Sequence, residues 1–270
     1  MKRRINLREL QLEELRILCV FDELCKEHNI NYYLAYGTLL GAVRHKGFIP
    51  WDDDIDVMLP RPEYRKLQKI VSEGKLPQGY SYGDIDKKEY IYPFMKIYNE
   101  NSYVKEDKLE DGSNESPIWI DVFPMDGLPS SKFKIKLIFF IHKAIRMFSY
   151  TAIVNSKKVD GLERVATILL KPLAKLIGSN NISRFRSYLA TRFNYEKSTY
   201  IGNVLTGVGP SNAIEKEIYL PKKLLEFEDR TFPAPLNYER HLTDLYGNYM
   251  KLPPEENRKS HLNEECFLLS

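Results

Sequence analysis

The sequence predicts an α/β (α+β) protein: a mixed sheet flanked by helices, carrying an inserted basic helical subdomain. Two observations lead there. Through the first 127 residues, segments with apolar residues at helical spacing alternate with short β-branched and aromatic runs. From Leu128 to Lys197 there are fourteen Lys/Arg against three Asp/Glu, a net of +11 in a chain whose total is +3. The expected organisation is a catalytic core over 1–127, a helical insertion over 128–200 that binds acceptor or membrane surface, and a C-terminal part over 201–270 packing back on the core.

The elements follow in order. Residues 6–28 read as a helix, because Leu10, Ile17, Val20, Phe21 and Leu24 share one face and the other is charged. Asn31 to Tyr36 reads as a strand delivering the chain to Gly37. Thr38 is expected to cap a short helix, Leu39 to His45, while Gly37 admits close backbone approach by a ligand. Asp54 to Leu59 is the second strand, closed by Pro60, and Pro62 to Glu73 is an amphipathic helix with Tyr64, Leu67, Ile70 and Val71 together. After a loop containing Gly79 and Gly83, Ile91 to Tyr98 and Pro117 to Pro124 read as strands, and Asp126-Gly127 as a turn out of the core.

Helices are expected over Ser131 to about Tyr150, Leu162 to Ile177 (bent or ended at Pro172), and Ile182 to Phe193; all are basic and apolar at once. Short strands near Tyr219 and from Phe227 to Pro235 follow, then a helix from Asn237 to Tyr246, and a polar tail draped on the surface.

Composition narrows the class. At 270 residues the chain fits one elaborated domain, without low-complexity tracts or repeats. Cys19, Cys25 and Cys266 have no metal-ligand spacing, which points to reduced thiols in a cytoplasmic protein. No signal-peptide core follows the basic N-terminus. The longest apolar run, Leu137 to Ile141, falls far short of the roughly 20 residues that span a bilayer. A basic middle in an acidic frame calls for an anionic partner.

The chemistry concentrates in Gly37 to Leu59, where Asp52-Asp53-Asp54-Ile55-Asp56 flows into Val57-Met58-Leu59. Residues two apart on a strand share a face, so Asp54 and Asp56 stand side by side. Carboxylates that close repel one another unless a divalent cation holds them; a solvated acidic turn is the plain alternative. Asp121, alone in the apolar run Ile118-Trp119-Ile120-Asp121-Val122-Phe123, is costly without a partner; a lysine ion pair or a shared metal would each serve. Sheet pairing is expected to bring it beside Asp54 and Asp56. Arg44, His45 and Lys46 put cationic groups near that strand, although a solvated helix end explains them as simply. Lys96 is expected either to face the same cleft or to sit at a sheet edge. An Asp pair, a third Asp and a Gly-Thr turn opening a helix form a phosphoryl-transfer constellation, with Mg²⁺ or Mn²⁺ bridging phosphate oxygens.

The pattern Gly37-Thr38, Asp54-Ile55-Asp56, Asp121 resembles that of the nucleotidyltransferase superfamily. The fuller run Leu39-Leu40-Gly41 through Ile49-Pro50-Trp51-Asp52-Asp53-Asp54-Ile55-Asp56 is similar to the LicD family, as is the close, Tyr246-Gly247-Asn248-Tyr249-Met250-Lys251-Leu252-Pro253-Pro254 with Ser260-His261. The resemblance implies a nucleotidyltransferase-like fold and transfer of a phospho-alcohol from a CDP-alcohol, CDP-choline above all. The acceptor would be a hydroxyl of a cell-surface glycan, such as a teichoic acid, capsule or lipopolysaccharide precursor, often lipid-linked at the cytoplasmic membrane face. It places the metal-binding carboxylates at Asp54, Asp56 and Asp121, with Asp52 and Asp53 as second choices; the helix N-terminus at Gly37 and Thr38 and the nearby Arg44, His45 and Lys96 are read from the residues themselves as the phosphate-binding side. His261 and Lys96 match family positions without a defined role. The rivals are a DxD glycosyltransferase using a nucleotide-sugar and a non-catalytic glycan- or membrane-binding relative. Nucleic acid is not expected as a partner, because the basic helices are rich in Phe, Ile and Leu.

Overall fold

The computed structural model describes residues 2–105, 115–156, 159–207, 209–260 and 265–269. Helix α1 (Leu7–Glu27) starts at a reciprocal cap: Glu9 N–H donates to Asn6 Oδ1, and Asn6 N–H to Glu9 Oε2. Strand β2 (Tyr33–Leu34), helix α2 (Tyr36–His45), strand β3 (Asp56–Pro60) and helix α3 (Arg61–Ser72) follow. Strands β4 (Tyr80–Gly83), β5 (Met95–Lys105) and β6 (Glu115–Leu128) complete the first half. Helices α4 (Lys132–Ile153), α5 (Gly161–Ile177) and α6 (Ser179–Ala190) come next. The chain then returns through β7 (Tyr200–Gly202), β8 (Ile214–Glu215), α7 (Lys216–Tyr219), the hairpin β9 (Lys222–Phe227) and β10 (Arg230–Pro235), and α8 (Tyr238–Tyr246).

The fold is the predicted mixed sheet flanked by helices. Among the described residues the main sheet runs β1-β11-β5-β6-β3-β2, where β1 is Lys2–Ile5 and β11 is Glu265–Leu269; β4 and β7 are joined to β5 and β6, and β8 to β7. Pairing is antiparallel except between β3 and β6. The pleat separates two layers. Val57 and Leu59 of β3, with Ile118, Ile120 and Val122 of β6, face the main core beneath α1 and α3. Met58, Phe123 and Met125 face a second cluster with Tyr33, Tyr36 and Tyr219.

Several elements depart from the sequence expectation. The terminal strand β1 pairs with β11, and β11 in turn with β5; the four mostly exposed residues of β1, Lys-Arg-Arg-Ile, give no alternating signal. The third strand starts at Met95, not Ile91, and runs to Lys105. The expected turn at Asp126-Gly127 is strand, because the buried Asp126 carboxylate is neutralised by Arg61 rather than by water. Tyr219 ends the helix α7 instead of lying in a strand. Segment 128–200 leaves and re-enters the sheet at one place, since Leu128 pairs with Tyr200. Ala152, Ala174 and Ile182 hold its three helices together.

Two imidazoles are buried away from the sheet. His142 and His241 are each pushed down to about 4, by burial first; Arg186 adds to the effect at His142. The unfolded chain therefore takes up these protons first as pH falls, and stability is present above about 6.5 and lost toward about 4. Each imidazole should add about 2 kcal/mol to the difference in unfolding free energy, measured with urea, between pH 7 and pH 5, against the opposite contribution of carboxylates whose pKa is raised. His241→Phe should shrink that difference; an undiminished one would place the titration elsewhere.

Candidate active site

The site forms where β3 begins. Register places Asp56 beside Asp121 on β6, and Asp121 beside Lys96 on β5, so the three lie in one row across the sheet on the face opposite the main core. Lys96 is buried, with Nζ 3.4 Å from Asp121 Oδ1 and standing over the rings of Trp119 (3.6 Å) and Tyr92 (4.5 Å). The lysine ion pair weighed for Asp121 is thus present, and Lys96 is central to the sheet rather than at its edge.

The acidic loop closes on this row. One ligand oxygen from each of Asp52, Asp53 and Asp54 lies within 4.8 Å of the others, the one such acidic set among the described residues. Asp56 is outside that set but feels it: burial, then Asp54, Asp121 and Asp52, hold its carboxyl well above the usual range. Burial and Asp53 raise Asp52 to about 6, and burial raises Asp121 despite Lys96. This oxygen-only donor set, crowded beyond what Lys96 neutralises, fits a hard divalent cation such as Mg²⁺ or Mn²⁺.

Helix α2 frames the loop, though not as expected. It begins at Tyr36 after an uncapped Ala35, so Thr38 lies inside the first turn instead of capping it. Thr38 Oγ1 instead accepts the Asp56 N–H at 2.8 Å and fixes the start of β3. Gly37 admits Asp52 rather than open space: a Cβ there would come within 2.6 Å of Asp52 Oδ2. A carboxylate over a helix N-terminus is electrostatically favoured, which explains the choice. Tyr36 takes a left-handed φ of 44°, and its hydroxyl accepts from Asn212 Nδ2 at 2.6 Å. At the other end of α2, Arg44 donates from Nε to His45 Nε2 (2.9 Å) and from Nη1 to the Tyr249 carbonyl (2.8 Å). Arg44 therefore ties the C-terminal segment to the site's rim, with His45 accepting its second hydrogen bond.

Three participants escaped the sequence reading. Ser260 Oγ donates to Asp53 Oδ2 at 2.6 Å, so the tail reaches the acidic loop; Ser260-His261 was visible only as a family resemblance, and His261 lies outside the described residues. Arg258 stands over Trp51 at 5.5 Å. Glu14 of α1 is buried, its Oε2 has no hydrogen-bond partner among the described residues, and burial together with Asp54, Asp53 and Asp52 holds its carboxyl well above the usual range. Helical spacing gave no cue for Glu14, which sits between apolar positions of α1.

Comparison with known proteins bears on this geometry. Residues 29–166, which contain Asp52 to Asp56, Lys96 and Asp121, match the domain described as LicD/FKTN/FKRP, nucleotidyltransferase domain. Lipopolysaccharide cholinephosphotransferase LicD of Haemophilus influenzae is 33% identical over 279 residues, covering 99% of this chain and all of that protein. The chain belongs to the LicD family. The family domain ends within α5, so the sheet's β7 and β8, the β9–β10 hairpin and the tail that reaches Asp53 lie beyond it. An uncharacterized protein of Rickettsia prowazekii is 47% identical over 77 residues, 28% of this chain and 25% of its own length. The LicD resemblance noted from Leu39 to Asp56 and in the closing stretch from Tyr246 is thereby established.

Proposed function

We propose that this protein transfers phosphocholine from CDP-choline to a hydroxyl of a cell-surface glycan precursor, with lipopolysaccharide the favoured acceptor class. Membership of the family along its full length makes the chain a transferase. The observation that carries the finer reading is the end-to-end match to the Haemophilus cholinephosphotransferase. In the reaction the acceptor oxygen bonds to the choline-bearing phosphorus, the anhydride bond to CMP breaks, and the hydroxyl proton passes to a base. Asp54, Asp56 and Asp121 would hold the divalent ion, with Asp52 and Asp53 at its edge; when bound, the ion neutralises the phosphate oxygens. Lys96 holds Asp121 in line, Thr38 fixes Asp56, and Ser260 and Arg44 keep the tail over the loop.

The test is incubation with Mg²⁺, a glycan precursor and a panel of CDP-choline, CDP-ribitol, CDP-glycerol and UDP-sugars. CMP release is expected with CDP-choline. UDP release from a UDP-sugar would support the glycosyltransferase class instead, and no turnover with any donor would favour a binding role.

A further inference from the structure

The inserted helices present their apolar residues to solvent. On α5 the buried positions are Thr167 and Ala174, seven apart and on one stripe. Leu162, Val165, Leu169, Leu173 and Leu176 recur at spacings of three and four on another face. That face is turned away from the protein: Leu162 is 89% exposed, Leu169 72% and Leu176 83%. Helical geometry puts Arg164, Lys171 and Lys175 together on a third side, where Lys171 Nζ donates to the Val154 carbonyl at 2.8 Å. Helix α4 repeats the arrangement. Ile135, Phe139 and His142 are buried, while Phe133 (75% exposed), Leu137, Phe140 (69%) and Met147 share the opposite side, with Lys136 and Lys143 beside them.

A helix that folds in water turns its apolar face inward. Here α5 turns its apolar face outward and α4 exposes a second apolar side besides its buried one, and exposed apolar surface of this kind marks an interface. Charge decides what covers it. Across Leu128 to Lys197 the net of +11 would set two like-charged surfaces against each other if a second copy of the chain docked there. An anionic bilayer offers the complement: acyl chains accept Leu and Phe, and headgroup phosphates accept Lys and Arg. No helix among the described residues is long and apolar enough to cross a membrane, so the helices lie along the surface.

We propose that α4 and α5 dock this protein on the surface of an anionic phospholipid bilayer, burying Phe133, Phe140, Leu162, Leu169 and Leu176 among the lipid chains. The segment is rooted at Leu128, seven residues along β6 from Asp121, which holds the acidic site about 23 Å from its base. The proposal does not rest on the transferase reading, and binding is measured without donor or acceptor.

The test is co-sedimentation of the full chain with vesicles of equimolar phosphatidylcholine and phosphatidylglycerol, against phosphatidylcholine alone. Binding is expected to the anionic vesicles and to weaken steeply with added salt. Leu169→Glu/Leu176→Glu and, separately, Lys136→Glu/Lys143→Glu should each weaken it at least about tenfold. All four positions are exposed, so circular dichroism and melting temperature should be unchanged. Equal binding to neutral vesicles, or none to either, would overturn the proposal. So would a stable dimer in solution that Leu169→Glu/Leu176→Glu dissociates, since the covering surface would then be a second copy.

Discussion

Replacing Asp56 by Asn is expected to cut phosphocholine transfer by roughly a thousandfold or more while leaving the fold intact. Activity and stability should part because the carboxylate serves the site and not the core. Asp56 is buried among Asp52, Asp54 and Asp121, and Lys96 opposes only part of that accumulation of charge. Asn keeps the shape and removes one of the repelling charges, so the melting temperature of the metal-free protein should hold or rise by a few degrees, about 2–4 °C per kcal/mol for a chain of this size. Mg²⁺ separates the roles without any substrate. A ligand that binds only the folded wild type at a hundred times its Kd adds about 2.7 kcal/mol of stability, and Asp56→Asn should lose most of that gain. Wild-type turnover by Asp56→Asn, or an equal Mg²⁺ stabilisation of both proteins, would remove Asp56 from the proposed metal site.

The second large effect lies away from the chemistry. Arg61, the first residue of α3, donates from Nε and Nη2 to the two oxygens of Asp126 at 2.6 and 2.7 Å, and both side chains are buried. Arg61→Met leaves the Asp126 carboxylate without its counter-ion in the interior, which should cost about 3–5 kcal/mol. An apolar pair of similar volume removes both charges together, so Arg61→Met/Asp126→Leu should recover most of the loss. Urea unfolding of the two single variants and the double variant measures the coupling directly. If Arg61→Met costs under 1 kcal/mol, the pair is not what secures α3 to β6.

How much of this was legible follows from the range of each signal. Asp54-Ile55-Asp56 could be read because strand alternation is local: a carboxylate two residues from another, at the start of Val57-Met58-Leu59, needs no tertiary information. Asp121 could be read because one charge in an apolar strand is expensive wherever that strand lies. The insertion could be read from charge and apolar content alone. Thr38 was misjudged because capping and strand anchoring use the same hydroxyl, and the choice depended on where α2 began. Asp126 was misjudged because Asp-Gly is turn chemistry in isolation, and its partner Arg61 is 65 residues away.

Local periodicity and side-chain type thus determined the helices, the central strands, the acidic loop and the family resemblance, because each depends on neighbours within a few residues. Tertiary structure alone decided which carboxylates meet. Only the parallel register of β3 on β6 sets Asp56 against Asp121, and only the antiparallel register of β5 adds Lys96 to the row. Packing alone brought Glu14 toward the aspartates and Ser260 to Asp53 across 207 residues. It also turned the leucines of α5 outward, since periodicity shows that a helix has an apolar face but not which way the face points.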